Sequence, residues 1–232
     1  MVDGYVVPRG YAATYAAQAQ ADVDVLMGEN HDENGAAADT AFDLVAAGKA
    51  ERPNNSTAFL GLARYRDYVQ KRFGAMADEY FTLYPANDDR TAFKSANAAI
   101  RDNQRISPWM WASVFTQGRS KPVYQYFFTH APTGPNQEVT GVYHSAELRF
   151  VFNNPTPEWG TRDKRVAEMM STYWTNFART GNPNGPGLPN WPAWDGKVEQ
   201  VMELGDRPQP IPLSDAARLD FWRRFYATQP AL

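Results

Sequence analysis

The sequence predicts an α/β fold in which helices flank a mixed sheet. Short segments of strand character are separated by long segments whose apolar residues follow helical spacing, which is the pattern of this class. Three segments have strand character, at residues 23–28, 122–129 and 198–204. Because a typical sheet contains roughly 4 to 6 strands, three strands in 232 residues predict that another chain segment completes the sheet.

The strand predictions differ in strength. Residues 122–129, PVYQYFFT, are rich in aromatic and β-branched side chains and begin at a proline, which favours a buried strand. Residues 23–28, VDVLMG, alternate, turn apolar and reach a glycine, so a short strand is expected to end at Gly28 and a loop to follow.

Three helices are predicted from apolar residues at spacings of three and four. The clearest contains Val166, Met169, Met170, Tyr173, Trp174 and Phe177. A dense cluster of helix breakers at residues 180–187, TGNPNGPG, ends it. The second contains Leu62, Tyr65, Val69 and Phe73, and the third contains Leu219, Trp222 and Tyr226.

The composition excludes several classes of function. Lysine and arginine number 23 against 26 acidic residues, and a formal net charge of -3 provides no basic surface for nucleic acid. Cysteine is absent, which excludes disulfides, thiolate metal sites and cysteine nucleophiles. No run of about 18 apolar residues occurs, so no membrane span is expected. Residues 1–10, MVDGYVVPRG, lack the features of a signal peptide.

A polar segment at residues 28–35, GENHDENG, directly follows the first predicted strand. Loops at the carboxyl ends of strands are where α/β folds place their sites, although a solvated turn is the commoner explanation of such a segment. His31, Asp32 and Glu33 could also be read as metal ligands. Three consecutive residues rarely point to one centre, so neither a metal nor another cofactor is expected.

A second candidate segment, residues 141–148, GVYHSAEL, lies beyond the strand that ends near Thr129. Histidine is the usual base that takes a proton from a serine nucleophile and returns it to the leaving group. On composition alone, His31 and His130 compete with His144 for this role. General physical chemistry leaves the choice among the three open.

The two segments resemble the acid and histidine motifs of the type B carboxylesterase and cholinesterase family, whose members have the α/β-hydrolase fold. The acid motif, G-x-N-x-D-E-x-G, is matched by Gly28, Asn30, Asp32, Glu33 and Gly35. The histidine motif, G-x-x-H-x-x-E-L, is matched by Gly141, His144, Glu147 and Leu148. The resemblance implies that Glu33 is the acid of a catalytic triad and His144 its general base, in the chain order expected of α/β-hydrolases. It also implies that Glu147 lies beneath the histidine loop.

Further stretches carry the same resemblance in the expected order. They are Val2-Asp-Gly4 with Pro8, residues 122–126, and residues 173–184 followed by WPAW at 191–194. Trp174, Phe177, Trp191 and Trp194 are expected to pack in the core. The resemblance therefore covers nearly the whole chain and identifies residues 1–232 as the C-terminal part of one α/β-hydrolase domain, with its sheet completed by an N-terminal half.

The sequence departs from the family in one important respect, since it contains no G-x-S-x-G nucleophile motif. Residues 118–122, GRSKP, fail at the final glycine, and no glycine-rich segment for an oxyanion hole is present. The resemblance implies that the N-terminal half of the same esterase, as a partner or an adjoining segment, supplies the serine. A nicked product, a split gene and a truncated polypeptide all fit this expectation.

The expected substrate is a small-molecule ester. In the family, residues 108–115 correspond to a helix that borders the substrate pocket, so Trp109 and Phe115 are predicted to contact a bulky apolar or aromatic group. Core packing is the other explanation for these two rings. The alternative function is a non-catalytic carboxylesterase-like binding or adhesion module, against which the presence of both Glu33 and His144 argues. The family makes a secreted or periplasmic location a further expectation.

Overall fold

A computed structural model describes residues 2–53 and 56–229. Within this part of the chain, four strands form one mixed sheet in the order β1 (Val25–Asn30), β2 (Val123–Phe128), β3 (Gln200–Leu204) and β4 (Gln209–Pro212). The first three strands are parallel, and β4 runs antiparallel to β3. The mixed sheet flanked by helices confirms the predicted fold class.

Two details of the sheet correct the sequence predictions. Strand β1 does not end at Gly28, because Glu29 and Asn30 continue the pairing with Phe127 and Phe128 of β2. Strand β4 was not predicted, since its sequence, QPIP, contains two prolines. Proline cannot donate a hydrogen bond to a neighbouring strand and is tolerated mainly in edge strands, which is the position of β4.

The helices lie on both sides of the sheet. They are α1 (Tyr11–Ala16), α2 (Ala41–Ala46), α3 (Gly61–Phe73), α4 (Ala77–Leu83), α5 (Asp89–Phe115), α6 (Gln137–Thr140), α7 (Leu148–Val151), α8 (Thr161–Thr180) and α9 (Ala216–Ala227). The three helices predicted from apolar spacing are confirmed as α3, α8 and α9. No helix in residues 2–53 and 56–229 combines the length and apolar character needed to cross a membrane.

Helix α5 is the longest helix, and the sequence prediction covered only its last turns. Asp88 caps its N-terminus: the Asp88 carboxylate accepts a hydrogen bond from the Thr91 N–H, while the Thr91 hydroxyl accepts one from the Asp88 N–H. This reciprocal pair satisfies two amides that a helix start otherwise leaves without partners. Pro108 lies inside the helix and leaves the Gln104 carbonyl without its usual donor four residues later.

Strand β2 is buried along its entire length, because both faces of the sheet are covered. One face of β2 presents Tyr124, Tyr126 and Phe128 to the core that contains helix α8. Phe127 points to the opposite core, which helices α3, α4, α5 and α9 cover. Gly28 of β1 lies so close to Tyr126 that an added Cβ atom would come within 2.4 Å of its ring and carbonyl.

The predicted core tryptophans hold the connection between α8 and β3 in place. The Trp191 side chain is 1% exposed, and its indole Nε1 donates to the Gln125 carbonyl of β2 at 3.1 Å. Trp174, Phe177 and Trp194 are partly buried against the two cores. The donor of Trp191 therefore finds a partner on the most buried strand, as a buried indole requires.

Candidate active site

The loops that carry the two motifs meet at the carboxyl end of the sheet. The acid loop, residues 31–35, follows β1, and the histidine loop, residues 141–147, comes after β2. Because β1 and β2 are parallel, their carboxyl ends reach the same edge. The Asp32 N–H donates to the Val142 carbonyl at 3.0 Å, which joins the two loops directly.

Glu33 and His144 form a hydrogen bond in which Glu33 Oε2 lies 2.7 Å from His144 Nδ1. The second carboxylate oxygen, Oε1, accepts from the Asn30 N–H at 2.5 Å. The Glu33 side chain is 7% exposed, whereas the His144 side chain is 85% exposed. A fixed, buried carboxylate therefore orients an imidazole whose other nitrogen, Nε2, makes no hydrogen bond to any described residue.

The carboxylates around His144 favour its protonated form. The hydrogen bond and the negative charge of Glu33 raise the pKa of His144, and the charges of Glu147 and Glu29 raise this pKa further. Since Glu33 holds Nδ1, a proton taken from another group would enter the ring at Nε2. The arrangement can therefore act as a general base and stabilise the resulting imidazolium.

Asn30 connects Glu147 to this pair. Its Nδ2 donates to Glu147 Oε2 at 2.5 Å and to the Tyr143 carbonyl at 2.9 Å. Asn30 is 1% exposed, so these bonds are shielded from water. Glu147 thus lies at the end of the histidine loop, contacts Asn30 directly and raises the pKa of His144 through its charge. In the sequence, Asn30 was recognised only as a motif position, and its supporting contacts were missed.

Helix α5 supports the acid loop with one polar stripe. Gln104 Nε2 donates to the Glu33 carbonyl at 2.9 Å, and Arg101 Nη2 donates to Asp32 Oδ1 at 2.5 Å. Asn97 accepts from the Ala37 N–H and donates to the Ala37 carbonyl. Spacings of four and three place the stripe on one helix face. Its members are Asn97, Arg101 and Gln104. None of the three was predicted from the sequence.

Glu29 is a further acid of the site and directly precedes Asn30 at the end of β1. Burial raises its pKa to about 7, together with a hydrogen bond to the Glu33 carboxyl and the Glu33 charge. Asn34 Nδ2 holds the Glu29 carboxylate at 3.0 Å and opposes this rise. Asn34 reaches back because its φ of 55° turns the chain sharply after Glu33.

Glu29→Gln is expected to change how stability depends on pH. The Glu29 carboxyl pKa of about 7 lies above the ordinary glutamate value of 4.5. The folded state therefore binds more protons than the unfolded state between these pH values, and the wild-type chain loses stability as pH rises through this window. The variant lacks this loss. Urea unfolding at several pH values would measure it, with the exposed Glu168→Gln on α8 as the control. Equal pH dependence in Glu29→Gln and wild type would contradict the prediction.

An open cleft of about 610 Å³ lies beside Glu33 and His144. Small and polar residues of the two loops form most of its walls. The lining residues are Asp32, Glu33, Asn34, Gly35, Ala36, Ala37, Pro53, Ser56, Thr140, Tyr143 and His144. The volume is in the range of pockets that hold small organic ligands.

The other two histidines also contact carboxylates, but neither lines the cleft beside Glu33. Both ring nitrogens of His130 face carboxylates, Asp206 at 2.8 Å and Asp163 at 3.0 Å, and the residue is 5% exposed. His31 Nδ1 lies 2.8 Å from Asp32 Oδ1, but His31 is not among the residues that line the cleft. Among the described residues, no group of three or more potential ligands is arranged to hold a metal ion.

Trp109 and Phe115 lie in the core, away from the cleft. Trp109 is 6% exposed, and its ring lies 5.8 Å from that of Trp194. Phe115 is 7% exposed and stacks on Trp111 at 4.7 Å. Neither ring is among the residues that line the cleft beside His144. Contact of these two residues with substrate stays a prediction.

Comparison with known proteins gives consistent matches. A family model described as the carboxylesterase family matches residues 1–222. Cocaine esterase of Homo sapiens is 28% identical over 234 residues, which are 97% of this chain and 41% of that protein. Acylcarnitine hydrolase of Rattus norvegicus is 28% identical over 233 residues, again 97% of this chain and 41% of that protein. Carboxylesterase 1E of Mus musculus is 35% identical over 112 residues, 46% of this chain and 20% of that protein. The chain thus spans less than half of the length of these relatives.

Proposed function

This chain belongs to the carboxylesterase family, and from this premise we propose that it provides the acid and the base of a serine ester hydrolase. Glu33 is the acid, His144 is the general base, and a polypeptide segment outside these 232 residues provides the nucleophilic serine and the oxyanion hole. The observation that carries the proposal is the 2.7 Å hydrogen bond between Glu33 and His144 beside an open cleft.

The proposed mechanism uses the two nitrogens of His144 differently. Glu33 keeps the proton on Nδ1, so Nε2 takes the serine proton while the serine oxygen attacks the ester carbonyl. The protonated ring then gives this proton to the departing alcohol, which leaves an acyl-enzyme. Water releases the acid by the same sequence of proton transfers. The buried carboxylate stabilises the imidazolium in both steps.

Strand β1 supports the proposal that residues 1–232 are the C-terminal part of one domain. In the described part of the chain, β1 pairs with β2 alone, and its other edge is the edge of the sheet. We propose that the N-terminal half of the same esterase adds strands at this edge. That addition would bring a serine at a strand end to the cleft, since all carboxyl ends of parallel strands lie on one side.

Labelling with a fluorophosphonate, which reacts with activated serines, tests the proposal. We expect the 232-residue chain alone to remain unlabelled and to show no enzyme-like turnover of a nitrophenyl ester, because the nucleophile is missing. Protein from the native source should carry the label on a serine outside these 232 residues. Labelling of a serine within the chain would contradict the proposal, and an unlabelled native protein would favour the non-catalytic binding module.

A further inference from the structure

We propose that Asp32 is a positioning residue, which holds the histidine loop against the acid loop and so sets the place of His144. Arg101 in turn holds Asp32. We name Asp32, Arg101 and Val142 the loop clamp. This inference deepens the proposed function and rests on it, because the clamp matters for turnover only if His144 is the general base.

The His144 ring needs such a device because it has little packing of its own. Its side chain is 85% exposed, and its one hydrogen bond to a described residue is that to Glu33. The position of an exposed side chain is set by its backbone, and a displacement of about 1 Å in a catalytic group can reduce the rate by roughly 100-fold. The backbone of the histidine loop must therefore be fixed by other contacts.

The fixing contacts converge on Asp32. Its carboxylate Oδ2 accepts from the Val142 N–H at 2.9 Å, and its own N–H donates to the Val142 carbonyl at 3.0 Å. Both polar groups of one backbone residue, two positions before His144, are thus bound by one residue that directly precedes Glu33. The same short connection sets the position of both members of the proposed pair.

The loop passes directly over the Asp32 carboxylate. A Cβ atom at Gly141 would lie 2.0 Å from Asp32 Oδ2, and Gly141 has a φ of 57°. Only glycine adopts this conformation readily and also leaves the space that the carboxylate fills. Gly141 of the histidine motif therefore leaves the space in which Asp32 of the acid motif contacts the histidine loop.

His31 and Arg101 together stabilise the buried charge of Asp32. The Asp32 side chain is 4% exposed, and that of Arg101 is 11% exposed. Burial opposes ionisation, yet the His31 hydrogen bond and charge, the Arg101 charge and the Val142 N–H together lower the pKa of Asp32 to about 2. Arg101 also donates to Asp39 at 2.7 Å and to the Ala37 carbonyl at 2.9 Å. Through this guanidinium, the rigid helix α5 anchors the clamp.

Asp32→Asn tests the clamp in the assembled esterase, the chain together with the segment that carries the serine. An amide has a single acceptor oxygen, so it cannot serve Val142, Arg101 and His31 as the carboxylate does. We expect kcat to fall by roughly 10- to 100-fold with KM little changed, since the chemical step depends on the position of His144. We also expect the ¹H NMR signal of the proton between Glu33 and His144 to broaden or shift.

Asp39→Asn is the matched control. Asp39 bonds the same guanidinium, but its side chain is 75% exposed and makes no hydrogen bond to the described residues of the histidine loop. This variant should keep the wild-type kcat, KM and NMR signal. Equal values in Asp32→Asn and Asp39→Asn would overturn the clamp.

Arg101→Lys provides a second route if Asp32→Asn does not fold. Lysine keeps the positive charge but lacks the planar fork that reaches Asp32, Asp39 and the Ala37 carbonyl together. We expect kcat to fall with KM little changed and the NMR signal to shift, and wild-type values of both would overturn the proposal. The proposed function is tested separately, because its failure would leave even His144→Ala with the activity of the wild type.

Discussion

Replacing His144 with alanine is expected to reduce kcat of the assembled esterase by about 10⁶-fold, the size of effect seen when the base of a catalytic triad is removed. The ring is the group proposed to carry the proton in both halves of the reaction. Because the side chain is 85% exposed, its loss leaves no cavity in the core. The melting temperature should therefore change little, and the lost activity reports on chemistry.

The exposure of His144 also offers a sharp control. The ring borders an open cleft of about 610 Å³, so free imidazole can enter the space that the alanine variant leaves. We expect added imidazole to restore part of the activity of His144→Ala in proportion to its concentration. Absence of rescue together with a large drop in melting temperature would indicate a structural role instead, and unchanged activity of the variant would refute the role of base.

Glu33→Gln is expected to reduce kcat by about 10⁴-fold with the fold intact. The glutamine amide can donate to His144 Nδ1, which places the single ring proton on Nε2 and leaves that nitrogen unable to accept the serine proton. The pKa of His144, which the Glu33 hydrogen bond and charge raise, should fall toward its ordinary value near 6.5. When the pH is lowered, the residual activity should therefore begin to decline only at a lower pH than the wild-type activity does, because His144 becomes protonated later.

The pKa of His144 can be followed by NMR titration of its ring protons, and the activity by the pH dependence of kcat/KM. Glu168→Gln removes an exposed carboxylate from α8 and is the matched control. It should leave both measurements unchanged. A wild-type pKa of His144 in Glu33→Gln would show that the two side chains do not interact in solution.

The sequence predicted the parts of the fold and the site that short local patterns encode. Apolar spacing was sufficient for α3, α8 and α9, and β2 was evident from its aromatic and β-branched residues. The acid and histidine motifs named Glu33 and His144, and the structure places them in contact. That these residues are catalytic stays a prediction.

The supports of the site could not be predicted, because their partners are distant in the chain. Gln104 meets the Glu33 carbonyl across 71 positions, and Asp32 Oδ2 meets the Val142 N–H across 110. A polar residue in a helix normally reads as part of a solvated face. Similarly, only coordinates separate His144 from His130, whose two nitrogens both face carboxylates.

The burial of β2 on both faces has a consequence for how the chain can vary during evolution. All six residues, Val123–Phe128, are enclosed, and neighbouring residues serve opposite cores. A charged replacement at any of them would place an unpaired group in one core or the other. Amino-acid substitutions in this hexapeptide are therefore restricted at every position, even though none of its side chains takes part in the proposed chemistry.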